Sequence, residues 1–142
     1  MKQMAPSEWR AFLLSGTRTA KVATVRSDGR PHVAPVWFDL DGDDLIFMTG
    51  STTVKGKNIL RDPRVMLSVD DEHPPFAFVW IEGTAVPSEL SPAELLPWSI
   101  RIAKRYIGAE RAERFGKRNA VAGELLVRVP LNKVIAHADI AD

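Results

Sequence analysis

Ala20-Lys21-Val22-Ala23-Thr24-Val25-Arg26 runs into Ser27-Asp28-Gly29-Arg30 and then into Pro31-His32-Val33-Ala34-Pro35-Val36-Trp37-Phe38-Asp39-Leu40. Two strand-like segments flank an Asp-Gly pair, a dipeptide that supplies the backbone conformation of a tight hairpin turn. A second turn, Asp41-Gly42-Asp43-Asp44, leads into Leu45-Ile46-Phe47-Met48-Thr49. The first half of the chain therefore predicts a three-stranded antiparallel meander. No helical pattern separates these strands, so the parallel sheet of an alternating α/β fold is not expected.

Outward from this core, Ser7 precedes an apolar set of Trp9, Phe12, Leu13 and Leu14, which predicts a short amphipathic helix over 7–15. Val54 to Arg61 has the spacing of another short helix, which must stop before Pro63. Strands follow at Arg64 to Asp70 and Phe76 to Val86, the second with Gly83 inside it, a sign of a bulge or a close backbone approach. Ser91-Pro92-Ala93-Glu94 is a capping box with proline at the first helical position. That helix should kink at Pro97 and resume to Gly108, ahead of a further short helix over Glu110–Arg118. Gly123 to Val129 and Lys133 to Ala138 complete the strands. Six or seven strands with three or four short helices describe a mainly β, α+β chain: a small antiparallel barrel with peripheral helices.

The 142 residues suit one domain spanning 1–142, with 45% hydrophobic and 26% charged residues and no signature of disorder. The absence of cysteine removes disulfides, thiolate metal sites and thiol nucleophiles together. A net charge of +1 supplies no broad field for phosphate backbones, so nucleic-acid binding is not expected. No run of apolar residues is long enough for a membrane span, and a soluble, cytoplasmic protein is the default.

Met48-Thr49-Gly50-Ser51-Thr52-Thr53-Val54-Lys55-Gly56-Lys57-Asn58 carries the most chemistry. A strand empties into a hydroxyl-rich loop, and a helix then opens with unpaired N–H groups, a positive dipole end and two lysines. The stretch reads either as a phosphate cradle or as a plain Thr53 helix cap beside solvated lysines. Pro35 donates nothing to a sheet, so its strand should be an edge or carry a bulge. Backbone groups of Pro35, Val36 and Trp37 then either face a planar heteroaromatic ligand or simply form an edge. Trp37 and Trp80 either flank such a plane or belong to the core or a dimer interface.

His32, His73 and His137 show no metal-ligand spacing, and no serine sits in a nucleophile elbow; no metal site and no catalytic triad is assigned. The carboxylates Asp41, Asp43 and Asp44, and Asp70, Asp71 and Glu72, fall in predicted turns where solvated Asp is ordinary. Between Glu94 and Arg118 a basic helical surface, including Arg101, Lys104, Arg105 and Arg111, is either solvated or draws in an anionic ligand tail.

In their order, these segments resemble the flavin and deazaflavin oxidoreductases of the pyridoxamine-phosphate-oxidase-like split-barrel superfamily. The resemblance rests on Lys21-Val22-Ala23-Thr24-Val25 with Asp28-Gly29-Arg30-Pro31, on Lys55-Gly56-Lys57-Asn58-Ile59 with Arg61-Asp62-Pro63-Arg64, and on Ile81-Glu82-Gly83-Thr84-Ala85. Within the superfamily the chain is most similar to the group that uses coenzyme F420, a deazaflavin. The resemblance implies a homodimer of split barrels with the cofactor in a groove at the subunit interface. It implies that Lys55, Lys57 and Asn58 hold the phosphate, with Ser51, Thr52 and Thr53 in the preceding loop; Thr49, at the foot of that loop, is a further candidate for cofactor binding. Many relatives have Arg where this chain has Lys57, and lysine lacks the bidentate fork.

The resemblance further places Pro35, Val36 and Trp37 along the ring system, and it supplies no universal acid or base. The activity it implies is hydride transfer between reduced F420 and an unsaturated or heteroaromatic small molecule, in which the cofactor makes the bonds and the protein aligns the partners. The alternatives are an FMN-dependent oxidase or reductase on the same barrel, and a flavin or deazaflavin carrier without catalysis.

Overall fold

A strand whose two sides are both buried reads as an unbroken apolar run, and Leu45, Ile46 and Phe47 are such a run, each fully buried. The computed structural model, which describes residues 1–142, shows what covers both sides. Its elements in chain order are β1 (Lys2–Gln3), α1 (Pro6–Leu14), β2 (Ala20–Val25), β3 (Pro31–Val36), β4 (Phe38–Asp41), β5 (Asp44–Gly50) and α2 (Val54–Arg61). They continue with β6 (Arg64–Asp71), β7 (Ala77–Thr84), β8 (Val86–Glu89), α3 (Pro92–Ile107), α4 (Ala109–Asn119), β9 (Glu124–Pro130) and β10 (Lys133–Ala138).

The strands form two antiparallel sheets, ordered β1-β10-β7-β6-β2-β3 and β4-β5-β9-β8. Phe38, Phe47, Leu67, Val69, Val79, Ile81, Val127 and Val129 fill the space between them. Leu13 from α1 and Ile59 from α2 join the same core. Each such side chain contributes about 1.5–3 kcal/mol of burial. The other side of the smaller sheet, with Ile46 and Leu126, packs on Leu95 and Ile102 of α3. That second layer explains why β5 is apolar at consecutive positions.

The expected meander is corrected at Trp37. β2 and β3 pair as a hairpin, Ala20 opposite Val36, but the chain then leaves the sheet, and β4 pairs with β5, Phe38 opposite Phe47. Pro35 explains the boundary, because β3 is an edge strand and its proline removes a donor that a further neighbour would need. The expected strand to Val86 divides in the same way at Ala85, where β7 passes into β8 of the other sheet. These two crossings, together with the two-residue β1, account for ten strands where six or seven are expected.

At Gly83 the structure shows the close approach: a Cβ there would sit 2.9 Å from Val129 Cγ1. α3 runs from Pro92 to Ile107 as one helix with Pro97 inside it. Its packed face, Leu95, Ser99, Ile102 and Ala103, is buried on both sides of the proline. α4 folds back on α3, and Ser99 Oγ donates to the Gly116 carbonyl at 3.0 Å. Gly116 is required there, because a Cβ would lie 2.4 Å from Ile100 Cγ1. No helix is long and apolar enough to cross a membrane.

Candidate functional site

Thr53 begins α2 by saturating its own hydroxyl. Oγ accepts from Gly56 N at 3.0 Å, donates to the Gly50 carbonyl at 2.8 Å and lies 3.2 Å from Thr49 Oγ1. A hydroxyl offers one donor and two acceptor sites, so Thr53 shapes the loop and has nothing left for a ligand. Gly56 brings the helix hard against that loop, since a Cβ there would stand 2.0 Å from the Gly50 carbonyl oxygen. Ser51 N donates to the Gly123 carbonyl at 2.8 Å, tying the loop to the start of β9. The backbone N–H groups of Thr52, Val54 and Lys55 find no acceptor in the fold.

Beside this loop lies a cavity of about 340 Å³. Pro35, Val36 and Trp37 line one side, Thr49, Gly50 and Thr53 another, and Ser99, Ile102 and Ala103 of α3 close it. Lys55, Glu124, Met48 and Asn119 complete the lining. Trp37 is fixed by a parallel stack on Tyr106, with ring centroids 4.9 Å apart and planes 3° apart. Tyr106 is anchored in turn: its hydroxyl donates to the Arg18 carbonyl at 2.8 Å and accepts from Phe38 N at 3.2 Å. Burial pushes the Tyr106 phenol above its ordinary range, which keeps it in the donating form.

Lys55 and Glu124 are the ionisable side chains of the lining. Burial lowers the Lys55 ammonium, with Glu124 opposing the shift, and burial raises the Glu124 carboxyl, with Lys55 opposing. Each therefore feels the other's charge. Both remain outside the fold's hydrogen bonds, and they do not approach within the 4.0 Å of an ion pair.

Among the residues expected at the site, Pro35, Val36, Trp37, Thr49, Thr53 and Lys55 are brought together. Ser51 and Thr52 sit in the adjoining loop outside the lining, and Lys57 is exposed on α2. Asn58 is turned inward: it is 4% exposed, its Nδ2 donates to Thr24 Oγ1 at 3.0 Å, and its Oδ1 accepts from Arg61. It staples α2 to β2. Trp80 stands on the outer face of the larger sheet against Phe78, over a separate hollow shared with Lys21 and Ser68.

Glu124, Asn119 and the α3 residues had no local signal. Glu124 reaches the site as the register partner of Gly50 across β5 and β9, a pairing that only the fold creates. His32 lies on β3 outside the cavity, and its Nδ1 is buried without a partner. No three His, Cys, Asp or Glu side chains converge as a metal site.

The expectation of solvated turn carboxylates is corrected at Asp41 and Asp44, which hold Arg128 at 2.8 and 3.2 Å. Within the basic helical surface, Arg101 pairs with Asp39 at 2.9 Å and Asp41 at 3.3 Å, while Arg105 donates to the carbonyls of Phe38 and Leu13. These two arginines are structural. Lys104, Arg111, Arg114 and Arg118 remain exposed.

An anionic group fits the α2 end of the cavity, where free N–H groups and a half-buried ammonium converge without an acceptor of their own. A planar ring has room along Pro35–Trp37. The family model for pyridoxamine 5'-phosphate oxidase matches residues 5–127. The chain belongs to that family. Its members are flavin-binding oxidoreductases, typically dimeric with the flavin at the subunit interface. Among solved structures, a conserved hypothetical protein of Mycobacterium tuberculosis is 25% identical with a TM-score of 0.82, the match covering 98% of this chain and 91% of the other. An F420 reductase is 26% identical with a TM-score of 0.71, over 87% of this chain and 94% of that one. An FAD-binding protein of Mesorhizobium loti shares the fold at 18% identity and a TM-score of 0.65, over 95% and 93% of the two chains.

Proposed function

We propose that this protein is a cytoplasmic F420-dependent reductase that passes a hydride from the reduced deazaflavin to an unsaturated or heteroaromatic small molecule. The observation that carries the reading is the half-buried, unpaired Lys55 ammonium beside the free N–H groups of α2, in a cavity walled by Pro35, Val36 and Trp37. The similarity to an F420 reductase along 87% of the chain supports the choice of coenzyme. When bound, the deazaflavin supplies the hydride and is oxidised by two electrons, while the acceptor also takes one proton from solvent.

The chain's own part is to bind and align. Lys55 and the α2 N–H groups take the anionic group, each charge-assisted hydrogen bond contributing on the order of 1.5–3 kcal/mol. The Trp37–Tyr106 stack fixes one wall of the ring's slot, and α3 excludes water from above it. The working unit is a homodimer. Val33, Met66, Trp80 and Ile135 form an exposed apolar stripe on the outward face of the larger sheet, which suits burial against a second copy.

Side-by-side titration with F420 and FMN, followed by mixing reduced F420 with a panel of enones and quinones, tests this reading. Quenching of added F420 and its oxidation by at least one acceptor are expected. A tightly bound FMN chromophore and no F420 affinity would instead favour the flavin oxidase or reductase, and binding without turnover would favour a carrier.

A further inference from the structure

The charge inventory of the cavity is small. Of the side chains lining it, only Lys55 and Glu124 are ionisable, and they carry opposite signs. Glu124 is placed by the sheet rather than by a flexible loop, because it pairs with Gly50 at the end of β5. Its carboxylate lies over that glycine: a Cβ built on Gly50 would meet Glu124 Oε1 at 3.3 Å and Thr53 Cγ2 at 3.3 Å. The carboxylate thus stands beside the capping threonine of α2, at the end of the cavity that accepts an anion. A carboxylate there is unexpected in a site that only has to attract phosphate.

We propose that Glu124 tunes the charge preference of the anion site, narrowing the advantage that a doubly charged phosphomonoester otherwise holds over a singly charged phosphodiester. The inference rests on the coenzyme reading above and deepens it, since F420 carries a phosphodiester and FMN a phosphomonoester. Lys55 contributes one positive charge, the α2 terminus about half of one, and Glu124 removes one. Glu124 thus lowers the site from about one and a half positive charges to about half of one, in a half-buried setting where screening is weak. Coulomb energy is linear in ligand charge, so the logarithm of the penalty for the dianion is about twice that for the monoanion.

The test is a titration of wild type and Glu124→Gln with FMN, riboflavin and F420 at about pH 8, well above the ordinary carboxyl range and where a phosphomonoester carries two charges. Riboflavin shares the FMN ring without the phosphate and isolates the charge effect. The variant is expected to bind FMN about tenfold more tightly and F420 about threefold, with riboflavin unchanged. In the wild type the advantage of FMN over riboflavin should be about tenfold smaller than in the variant. FMN affinity unchanged by the substitution, with F420 still bound, overturns the inference and leaves the coenzyme reading in place. Absence of binding by all three ligands to either protein overturns both. Glu124→Ala carries the same comparison if the glutamine variant does not fold.

Discussion

The region around β4 and the region around the start of α2 handle charge in opposite ways. Behind β4, Arg101, Arg105 and Arg128 are all committed to carboxylates or carbonyls of the fold, spanning Asp39, Asp41, Asp44, Phe38 and Leu13. At the α2 end, Lys55 and Glu124 share a cavity without an ion pair to anything. The comparison separates two uses of polar side chains. A cation that the chain itself completes is scaffolding, and one left without a counter-ion in a concave, half-buried place is held ready for a ligand.

The sharpest way to break that distinction is Arg105→Ala, which strands the carbonyls of Phe38 and Leu13. Urea unfolding should show a loss of about 3 kcal/mol, the sum expected for buried acceptors deprived of a charged donor. The coenzyme affinity of the folded fraction should hardly change. Lys55→Ala should do the reverse: binding weaker by at least about tenfold in a fluorescence titration, with the unfolding midpoint nearly unmoved. An Arg105 variant that loses affinity without losing stability would erase the contrast.

A subtler effect concerns Asp71, whose carboxyl is held at about 2 against an ordinary 3.8 by the backbone N–H and ring of His73 and by Arg18. A depressed folded value means that its contribution is present above about pH 4 and is lost as pH falls toward 2. Thermal melts across that window should therefore be steeper in pH for the wild type than for Asp71→Asn. The smallest change is expected for Lys57→Ala. Its exposed ammonium lies outside the cavity lining, so coenzyme affinity should stay within about twofold. A loss comparable to that of Lys55→Ala would place Lys57 at the ligand and enlarge the site.

How far the sequence was legible depends on the range of the interaction that decides each feature. α2 is read correctly from Val54 to Arg61, because a capping threonine and a following proline are local signals. β10 is read correctly from Lys133 to Ala138 for the same reason, Pro130 marking the break before it. The strand through Trp37 is continuous in pattern yet divided in space, since a transfer between sheets leaves no mark on alternation. Pro35 did signal an edge, and Gly83 a close approach. Ion pairs such as Arg101 with Asp39 join positions 62 residues apart and cannot be inferred from spacing. Asn58, a polar residue in a suggestive motif, is held by hydrogen bonds that turn it toward the core, a placement that spacing does not reveal.

The core between the sheets and the layer beneath α3 are two separate hydrophobic clusters. The helical hairpin of α3 and α4 is thus a roof with its own small foundation, resting on Ile46 and Leu126, while the anion loop belongs to the barrel. Replacement of Ile102 or Ala103 reshapes the space beneath the roof, whereas Arg101, Arg105 and Tyr106 of the same helix bond to the barrel and hold the roof in place. On the proposed function, acceptor preference and structural integrity draw on different faces of one helix, and a lineage built on this plan is free to change the first while keeping the second.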